Sequence, residues 1–257
     1  MTVMSPHHQI KHGPRAILKR SEAEWKRFSL RFGLGLLSGD PRVYWNNFWQ
    51  RAHRRKVRWA EDYFNSWEAP HRRELVNRLN ESPFESLLEL GCNSGPNLRA
   101  LWEAGCRARL HGVDVNRQAV EYGRARFSEL GISSVTLEER SLYDLHVFTE
   151  RFDVIIAVAV LMHIPPEGCQ EVLQSALRLA KKRLVIVDAH RFAARPGDYP
   201  TILNPKDSSM WLRDWWQILA PLVPRQDISI TALSPGAART DTGDINAIID
   251  VRVSHHD

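Results

Sequence analysis

A glycine-containing loop within residues 87–101, LLELGCNSGPNLRAL, combines residue types that could bind a ligand. The apolar residues before Gly91 predict a short buried strand, and Pro96 fits the first turn of a helix, where its missing N–H costs nothing. A strand, a tight loop and a helix in this order present backbone N–H groups and a helix N-terminus to a ligand. The stretch therefore predicts a binding loop.

The residue types in this loop argue against a phosphate ligand. A dinucleotide-binding fingerprint requires G-x-G-x-x-G, which GCNSGP does not supply. A P-loop requires a lysine directly after its last glycine, and no lysine follows Gly95. The carboxylate of Glu89, which lies inside the motif, suits an ammonium group better than a phosphate.

Strand-like and helix-like segments alternate beyond residue 83. Apolar or alternating runs indicate strands at 108–115, 133–141, 152–160 and 183–190, and helical spacing indicates helices at 117–131 and 165–182. The last part of the chain predicts a turn at 202–207, a Trp-rich helix at 208–222, and a closing hairpin of two strands at 227–234 and 244–253. Repeated βαβ units predict a parallel sheet covered by helices.

The expected fold class is therefore α/β. We predict a Rossmann-like, mostly parallel seven-stranded sheet with helices on both faces, an antiparallel C-terminal edge and a helical N-terminal arm. Ligands of open α/β sheets bind at the carboxyl ends of the strands, near the point where the strand order reverses. The loop at Gly91 is expected to lie there.

Composition and cysteine spacing exclude several classes of protein. The 257 residues are 43% hydrophobic and 25% charged, as in an ordinary globular protein. No run approaches the ~20 apolar residues that span a bilayer, and the first residues lack the apolar centre of a secretory signal. The three cysteines are isolated, which predicts neither a disulfide framework nor a metal site and indicates a reduced, cytoplasmic setting.

Charge and tryptophan content divide the chain into two parts. Residues 1–83 hold 16 Lys and Arg against 8 Asp and Glu, whereas residues 84–257 hold 19 against 22. Five of the nine tryptophans also fall in the first part. We predict a basic, Trp-rich helical arm over 1–83 and a core domain over 84–257.

The segment LELGCNSGPNL resembles motif I of the class I S-adenosylmethionine-dependent methyltransferases, whose usual form is E/D-x-G-x-G-x-G. Glu89, Gly91 and Gly95 match this form. Asn93 replaces the middle glycine, and asparagine is the residue other than glycine that best tolerates a left-handed backbone.

Three further regions are similar to the same family. Asp114, 23 residues after Gly91, occupies the place of the acidic residue that accepts hydrogen bonds from both ribose hydroxyls. In ERSLYDL (139–145), Ser141 replaces the aspartate that usually binds the adenine amino group, so adenine recognition is expected to use the backbone and packing of Leu142, with Asp144 as the alternative. The region FDVIIAVAVLMHIPPE (152–167) resembles the stretch after strand four and adds Ala157 as a cofactor-contact candidate.

The resemblance implies S-adenosyl-L-methionine as cofactor and a methyl-transfer activity. We predict a small-molecule or sugar acceptor, methylated on oxygen in preference to nitrogen. A side-chain base is required only for a weakly acidic hydroxyl or a protonated amine, and the candidates are His163 and His190. Both histidines also have a structural alternative, because they could support a loop or cap a strand.

Two other functions stay open at this level. The basic segment with interleaved tryptophans favours an RNA acceptor as the alternative substrate, whereas DNA is not expected. Asn93 and Ser141 depart from the family pattern, which favours a catalytically degenerate, cofactor-binding partner subunit as a second alternative.

The segment SEAEWKRFSLRFGLGLL (21–37) mixes aromatic and basic residues and begins with Ser21 and Glu24 spaced as a capping box. Its aromatic residues are expected mainly to pack on the core. We also predict that the arm covers the active site and favours an anionic substrate or a peripheral contact with an anionic membrane surface.

Overall fold

The computed structural model describes residues 47, 49–50, 58–192, 202–203, 210–238 and 245–254. All of these residues belong to the compact unit Arg42–Asp257. The segment 21–37, with its predicted capping box, lies outside the described residues. Within the described ranges, no helix combines the length and the apolar character that a membrane crossing requires.

A seven-stranded sheet forms the centre of the fold. The strands of the described residues are β1 Ser86–Leu90, β2 Arg109–Asp114, β3 Val135–Glu139, β4 Phe152–Val158, β5 Ala180–Asp188, β6 Ile202–Leu203, β7 Trp211–Leu212, β8 Ile228–Ala232 and β9 Ala247–Arg252. Their order in the large sheet is β3-β2-β1-β4-β5-β9-β8, and β6 and β7 form a separate antiparallel pair. The first five strands are parallel, and β9 runs antiparallel to both β5 and β8. The predicted fold class is confirmed.

Helices cover both faces of this sheet. In the described residues they are α1 Trp59–Asn65, α2 Pro70–Asn80, α3 Pro96–Glu103, α4 Arg117–Glu129, α5 Pro166–Leu179 and α6 Trp215–Leu219. Side chains from α1 to α4 pack in one apolar cluster, and those from α5 and α6 pack in another. Along β4, Val154 and Ile156 join the first cluster, whereas Ile155 and Ala157 join the second, because side chains alternate across a strand. The strand is buried on both faces, as its continuous apolar run predicts.

The strand order reverses between β1 and β4. The chain first builds outward from β1 to β2 and β3, and then returns to the other side of β1 to add β4 and β5. The loops that follow β1 and β4 therefore separate at this point and leave a crevice for a ligand.

The predicted helix at 208–222 is wrong over residues 210–214. Residues Trp211–Leu212 form β7, and the helix α6 begins only at Trp215. The reason is local: the carboxylate of Asp214 accepts hydrogen bonds from the backbone N–H groups of Trp216 and Gln217, so it caps a helix that starts after it. The turn predicted at 202–207 is also wrong at its first two residues, which form β6.

Candidate functional site

The loop after β1 adopts left-handed backbone at three positions. Gly91, Asn93 and Gly95 have φ angles of 70°, 53° and 88°. A Cβ on Gly91 would lie 2.3 Å from a methyl carbon of Val160, and one on Gly95 would lie 2.7 Å from the ring of Phe127. Both glycines are therefore required by conformation and by space, and Asn93 adopts the backbone expected of it.

Hydrogen bonds hold this loop against the end of β2. The backbone N–H of Gly91 donates to the carbonyl of Val113 at 2.8 Å. Asp114 accepts from two further N–H groups, that of Asn93 at 2.7 Å on Oδ2 and that of Asn116 at 2.8 Å on Oδ1. Burial raises the pKa of the Asp114 carboxyl, while these N–H donors lower it. Each carboxylate oxygen can accept more than one hydrogen bond, so Asp114 keeps the capacity to accept from two hydroxyls.

Glu89 is a buried carboxyl group beneath the same loop. Its exposed fraction is 0%. Oε1 accepts a hydrogen bond from the side-chain amide of Asn97, and Oε2 is buried without a partner. Burial is the main cause that raises the pKa of Glu89 to about 7. An unpartnered carboxylate oxygen in a dry environment is costly unless a donor meets it, and a ligand ammonium group would supply that donor.

The residues expected near adenine lie after β3 and in β4. Ser141 caps the 3₁₀ segment Leu142–Val147 by accepting the backbone N–H of Tyr143 at 3.2 Å, and Leu142 is buried. Ala157 is the last residue but one of β4, level with Leu90 at the end of β1, and its side chain is buried in the second apolar cluster. Ala159, two residues later, has a φ of 53° and occupies the turn that leaves β4. The sequence reasoning missed Ala159.

His163 lies in the turn after β4, opposite the end of β2. It ends the short 3₁₀ turn Leu161–His163, and its ring centroid lies 4.4 Å from that of Trp49. The carbonyl of Trp49 in turn accepts a hydrogen bond from the side chain of Asn116 at 3.1 Å. Trp49 therefore bridges the two sides of the crevice, a role that its sequence context of mixed aromatic and basic residues did not specify.

His190 is held from several sides just after β5. Its Nδ1 accepts the backbone N–H of Trp215 at 3.2 Å, and its ring packs edge-on against Phe192. Burial lowers the pKa of the His190 imidazole, and an accepting Nδ1 places the proton of the neutral ring on Nε2. These contacts favour a positioning role, in which His190 ties β5 to α6, over that of a base.

A buried arginine supports the turn that carries His163. Arg213 has an exposed fraction of 0%, and its guanidinium donates to the carbonyl of Leu161 at 2.8 Å and to that of Ile164. Asp188, at the end of β5, is also buried, and its Oδ1 accepts the backbone N–H that follows it at 2.6 Å. The sequence reasoning missed Arg213 because it lay inside a predicted helix.

Gly123 is a further residue that the sequence reasoning missed. It lies in α4, where a Cβ would come within 2.4 Å of the carbonyl oxygen of Ser94 in the loop after β1. The hydroxyl of Ser94 donates to the carbonyl of Ala60 in α1 at 2.8 Å, so the loop is packed between two helices. A glycine inside an otherwise helical pattern was the available signal.

The structure thus brings together one set of the candidate residues. Glu89, the loop from Gly91 to Gly95 and Asp114 lie side by side at the ends of β1 and β2, and His163 lies on the other side of the crevice. Among the residues that the structure describes, no three His, Cys, Asp or Glu side chains converge as a metal site would require. This arrangement of N–H groups and carboxylates can bind a ligand that carries both an ammonium group and hydroxyls.

Comparisons with known proteins concern one domain of the chain and its fold. Residues 87–183 match the family described as methyltransferase domain. A curated but uncharacterized protein of Rickettsia prowazekii (strain Madrid E) is 30% identical over 98 residues, which are 37% of this chain and 39% of that protein. The match thus spans well under half of the curated relative's length.

Solved structures extend the likeness to most of the chain. Magnesium protoporphyrin IX methyltransferase from Synechocystis PCC 6803, solved with bound SAM, is similar with a TM-score of 0.57 and 16% identity, over 84% of this chain and 98% of that one. The N-methyltransferase NodS from Bradyrhizobium japonicum WM9, solved with S-adenosyl-L-homocysteine, has a TM-score of 0.56 and 14% identity, over 82% and 99%. At these identities the likeness is one of fold. Residues 87–183 thus match a methyltransferase domain, and the chain shares the fold of solved methyltransferases that bind S-adenosylmethionine or S-adenosyl-L-homocysteine.

Proposed function

We propose that this protein binds S-adenosyl-L-methionine and transfers its methyl group to a small-molecule or sugar acceptor. The proposed acceptor atom is an oxygen in preference to a nitrogen. The observation that carries the proposal is the group formed by Glu89, the left-handed loop and Asp114 at the point where the strand order reverses. Its unpartnered carboxylate oxygen and its accepting carboxylate suit the ammonium group and the ribose of this cofactor.

Each part of the site has a distinct role in this proposal. Glu89 binds the ammonium group, Asp114 binds the ribose hydroxyls, and the N–H groups between Gly91 and Gly95 border the amino-acid portion. Ser141 and Leu142 border the adenine, whereas Ala157 supports the site from within the core. When bound, the cofactor supplies an electrophilic methyl group on a sulfonium. The protein then has to orient the acceptor and exclude water.

The described part of the arm supports a covering role. Trp49 contacts both sides of the crevice through His163 and Asn116, and the carbonyl of Ala60 binds Ser94 in the loop. We therefore propose that the described part of this arm, which belongs to the same compact unit as the core domain 84–257, covers the crevice. The excess of positive charge in 1–83 supports an anionic acceptor or an anionic membrane surface as its contact.

His163 is the candidate base for an acceptor hydroxyl, because it borders the crevice, whereas His190 is held behind it by Trp215. Asn93 no longer favours a degenerate protein, since it adopts the backbone that the family's glycine would. The three free thiols support a reduced, cytoplasmic setting.

The proposal is tested by incubating the full chain with S-adenosylmethionine that carries a trideuterated methyl group, together with separate small-molecule and RNA fractions of a cell extract. We expect mass spectrometry to find the label on an oxygen atom in the small-molecule fraction, and none with the Asp114→Ala variant. Label in the RNA fraction would favour the RNA alternative. Cofactor binding without any labelled product would favour the partner-subunit alternative.

A further inference from the structure

Arg72 is a buried arginine at the start of α2, and each of its three guanidinium nitrogens donates a hydrogen bond. Its exposed fraction is 6%. Nε donates to the carbonyl of Ser66 at 3.0 Å, and Nη2 donates to the hydroxyl of the same serine at 3.1 Å. Nη1 donates to the side-chain oxygen of Asn97 in α3. The 3₁₀ turn Ser66–Glu68 thus aims the guanidinium at the helix that follows the glycine loop.

This contact decides which way the amide of Asn97 points. A guanidinium carries only donors, so the group that faces Arg72 must be the amide oxygen. The amide nitrogen then faces Glu89 and donates to Oε1. With the amide reversed, its NH₂ group would face the guanidinium and its oxygen would face the carboxylate, and both contacts would be lost. Arg72 therefore ensures that Glu89 receives a donor.

The charges around Glu89 show why that donor matters. Burial and, to a smaller extent, the nearby charge of Asp114 raise the pKa of Glu89, whereas the Asn97 hydrogen bond and the positive charge of Arg72 lower it, and the net pKa is about 7. The other titratable neighbour is the buried thiol of Cys92, whose pKa is raised well above its usual value, so it stays neutral at physiological pH. Arg72 is thus the cation that helps to keep Glu89 ionised.

We infer that Arg72 is a positioning residue of the cofactor site, which acts through Asn97 to hold the Glu89 carboxylate with Oε2 facing the ammonium group of the ligand. The inference rests on the proposed function, because it needs that ligand. It adds a polar relay, Arg72 to Asn97 to Glu89, that links α2 to the loop after β1.

The test compares Arg72→Met with Arg73→Met by calorimetry from pH 6 to pH 9. Arg73 is exposed on the same helix, so its variant removes the same charge without touching the relay. S-adenosylhomocysteine and 5′-methylthioadenosine, which lacks the amino-acid portion, are the two probes. We expect Arg72→Met to weaken the first probe about tenfold or more near neutral pH and to leave the second unchanged, while Arg73→Met changes neither.

The pH profile separates a relay from a merely structural role. In the wild type, affinity for S-adenosylhomocysteine should fall as the pH drops through about 7, because Glu89 becomes protonated. Without Arg72 the midpoint should move to higher pH. Asn97→Leu, which breaks the relay and keeps the arginine, should move it in the same direction, and the double variant should lose less affinity than the sum of the two single losses. Thermal unfolding without ligand identifies any variant that fails to fold.

Decarboxylated S-adenosylmethionine separates the relay from a direct contact. This probe keeps the ammonium group and lacks the carboxylate, so the penalty of Arg72→Met should persist with it. Loss of the penalty would show that Arg72 binds the ligand carboxylate itself and would overturn the relay. The relay would also be overturned if folded Arg72→Met and Asn97→Leu bound S-adenosylhomocysteine with wild-type affinity and an unchanged pH midpoint. Failure of the wild type to bind either nucleoside probe would instead contradict the proposed function.

Discussion

Glu89 and Asp188 are buried carboxyl groups that each keep one oxygen without a partner. Burial is the main cause that raises the pKa of both to about 7. A group of this kind costs folding free energy once it ionises, so it is typical of sites where binding or positioning requires it. Glu89 lies under the loop that we assign to the cofactor, and Asp188 lies at the end of β5, near the charge of Arg213.

Asp188→Asn tests the cost of burying the second carboxyl. The pKa of Asp188 is about 7 in the folded protein and about 3.9 in an unfolded chain, so the folded state binds more protons between these values. The stability associated with this proton is therefore present at low pH and is lost as the pH rises toward 7. Since asparagine does not ionise, the free energy of unfolding of Asp188→Asn relative to the wild type should rise between pH 5 and pH 8.

Urea unfolding at both pH values measures that difference, and the exposed Asp144→Asn serves as the control substitution. A relative stability of Asp188→Asn that stays constant across this range would show that Asp188 is already ionised in the folded protein.

Asp114→Ala tests the ribose contact. Removing a charged acceptor should weaken binding of S-adenosylmethionine by about 1.5–3 kcal/mol, which is roughly a 10- to 150-fold loss of affinity. Asp114→Asn keeps one accepting oxygen for the N–H group of Asn93 or of Asn116, so its affinity should lie between those of the wild type and Asp114→Ala. Calorimetry on folded protein measures this. Unchanged affinity in the alanine variant would remove Asp114 from the site.

Among the elements, α4 packs against the glycine loop at Gly123. A Cβ there would lie 2.4 Å from a backbone oxygen, which side-chain rotation cannot relieve. Gly123→Ala should therefore displace the loop or the helix and weaken cofactor binding. Gly236→Ala is the matched control, since its Cβ would meet nothing within 4 Å. Equal cofactor affinity in the two variants would mean that the loop tolerates displacement.

The elements that the sequence predicts well are those with local signals. β1 and α3 follow from an apolar run, a glycine loop and Pro96, and β4 follows from its unbroken apolar run. The helix predicted at 208–222 failed because Trp211 has a helical spacing to Trp215 that takes no account of pairing with β6. Pairing between distant segments carries no signal in the local pattern.

The candidate site shows the same division. The family motif identified Glu89 and Asp114, whereas Arg72, Trp49 and Arg213 act through contacts with residues 25 to 114 positions away. Charge and aromatic content marked Trp49 only as part of an arm. Nothing in the spacing of Arg72 distinguishes it from its exposed neighbour Arg73, because the difference lies in the partner that the fold supplies.

At the scale of the whole molecule, the arm and the core should act together during ligand exchange. Trp49 lies across the crevice, so Trp49→Ala should speed the dissociation of S-adenosylhomocysteine more than it slows its association. A truncation of residues 1–37, which keeps Trp49, should leave cofactor affinity nearly unchanged and reduce acceptor turnover. Stopped-flow fluorescence measures the rates. Wild-type dissociation in folded Trp49→Ala would show that the tryptophan only packs on the core.

We assign the binding of S-adenosylmethionine to the ends of β1 and β2. A crystal structure of the full chain with S-adenosylhomocysteine tests it most directly. We expect the ligand ammonium group within hydrogen-bond distance of Glu89 Oε2 and the ribose hydroxyls on the carboxylate of Asp114. A ligand bound elsewhere on the protein, or one that reaches neither carboxylate, would contradict this assignment of the cofactor site.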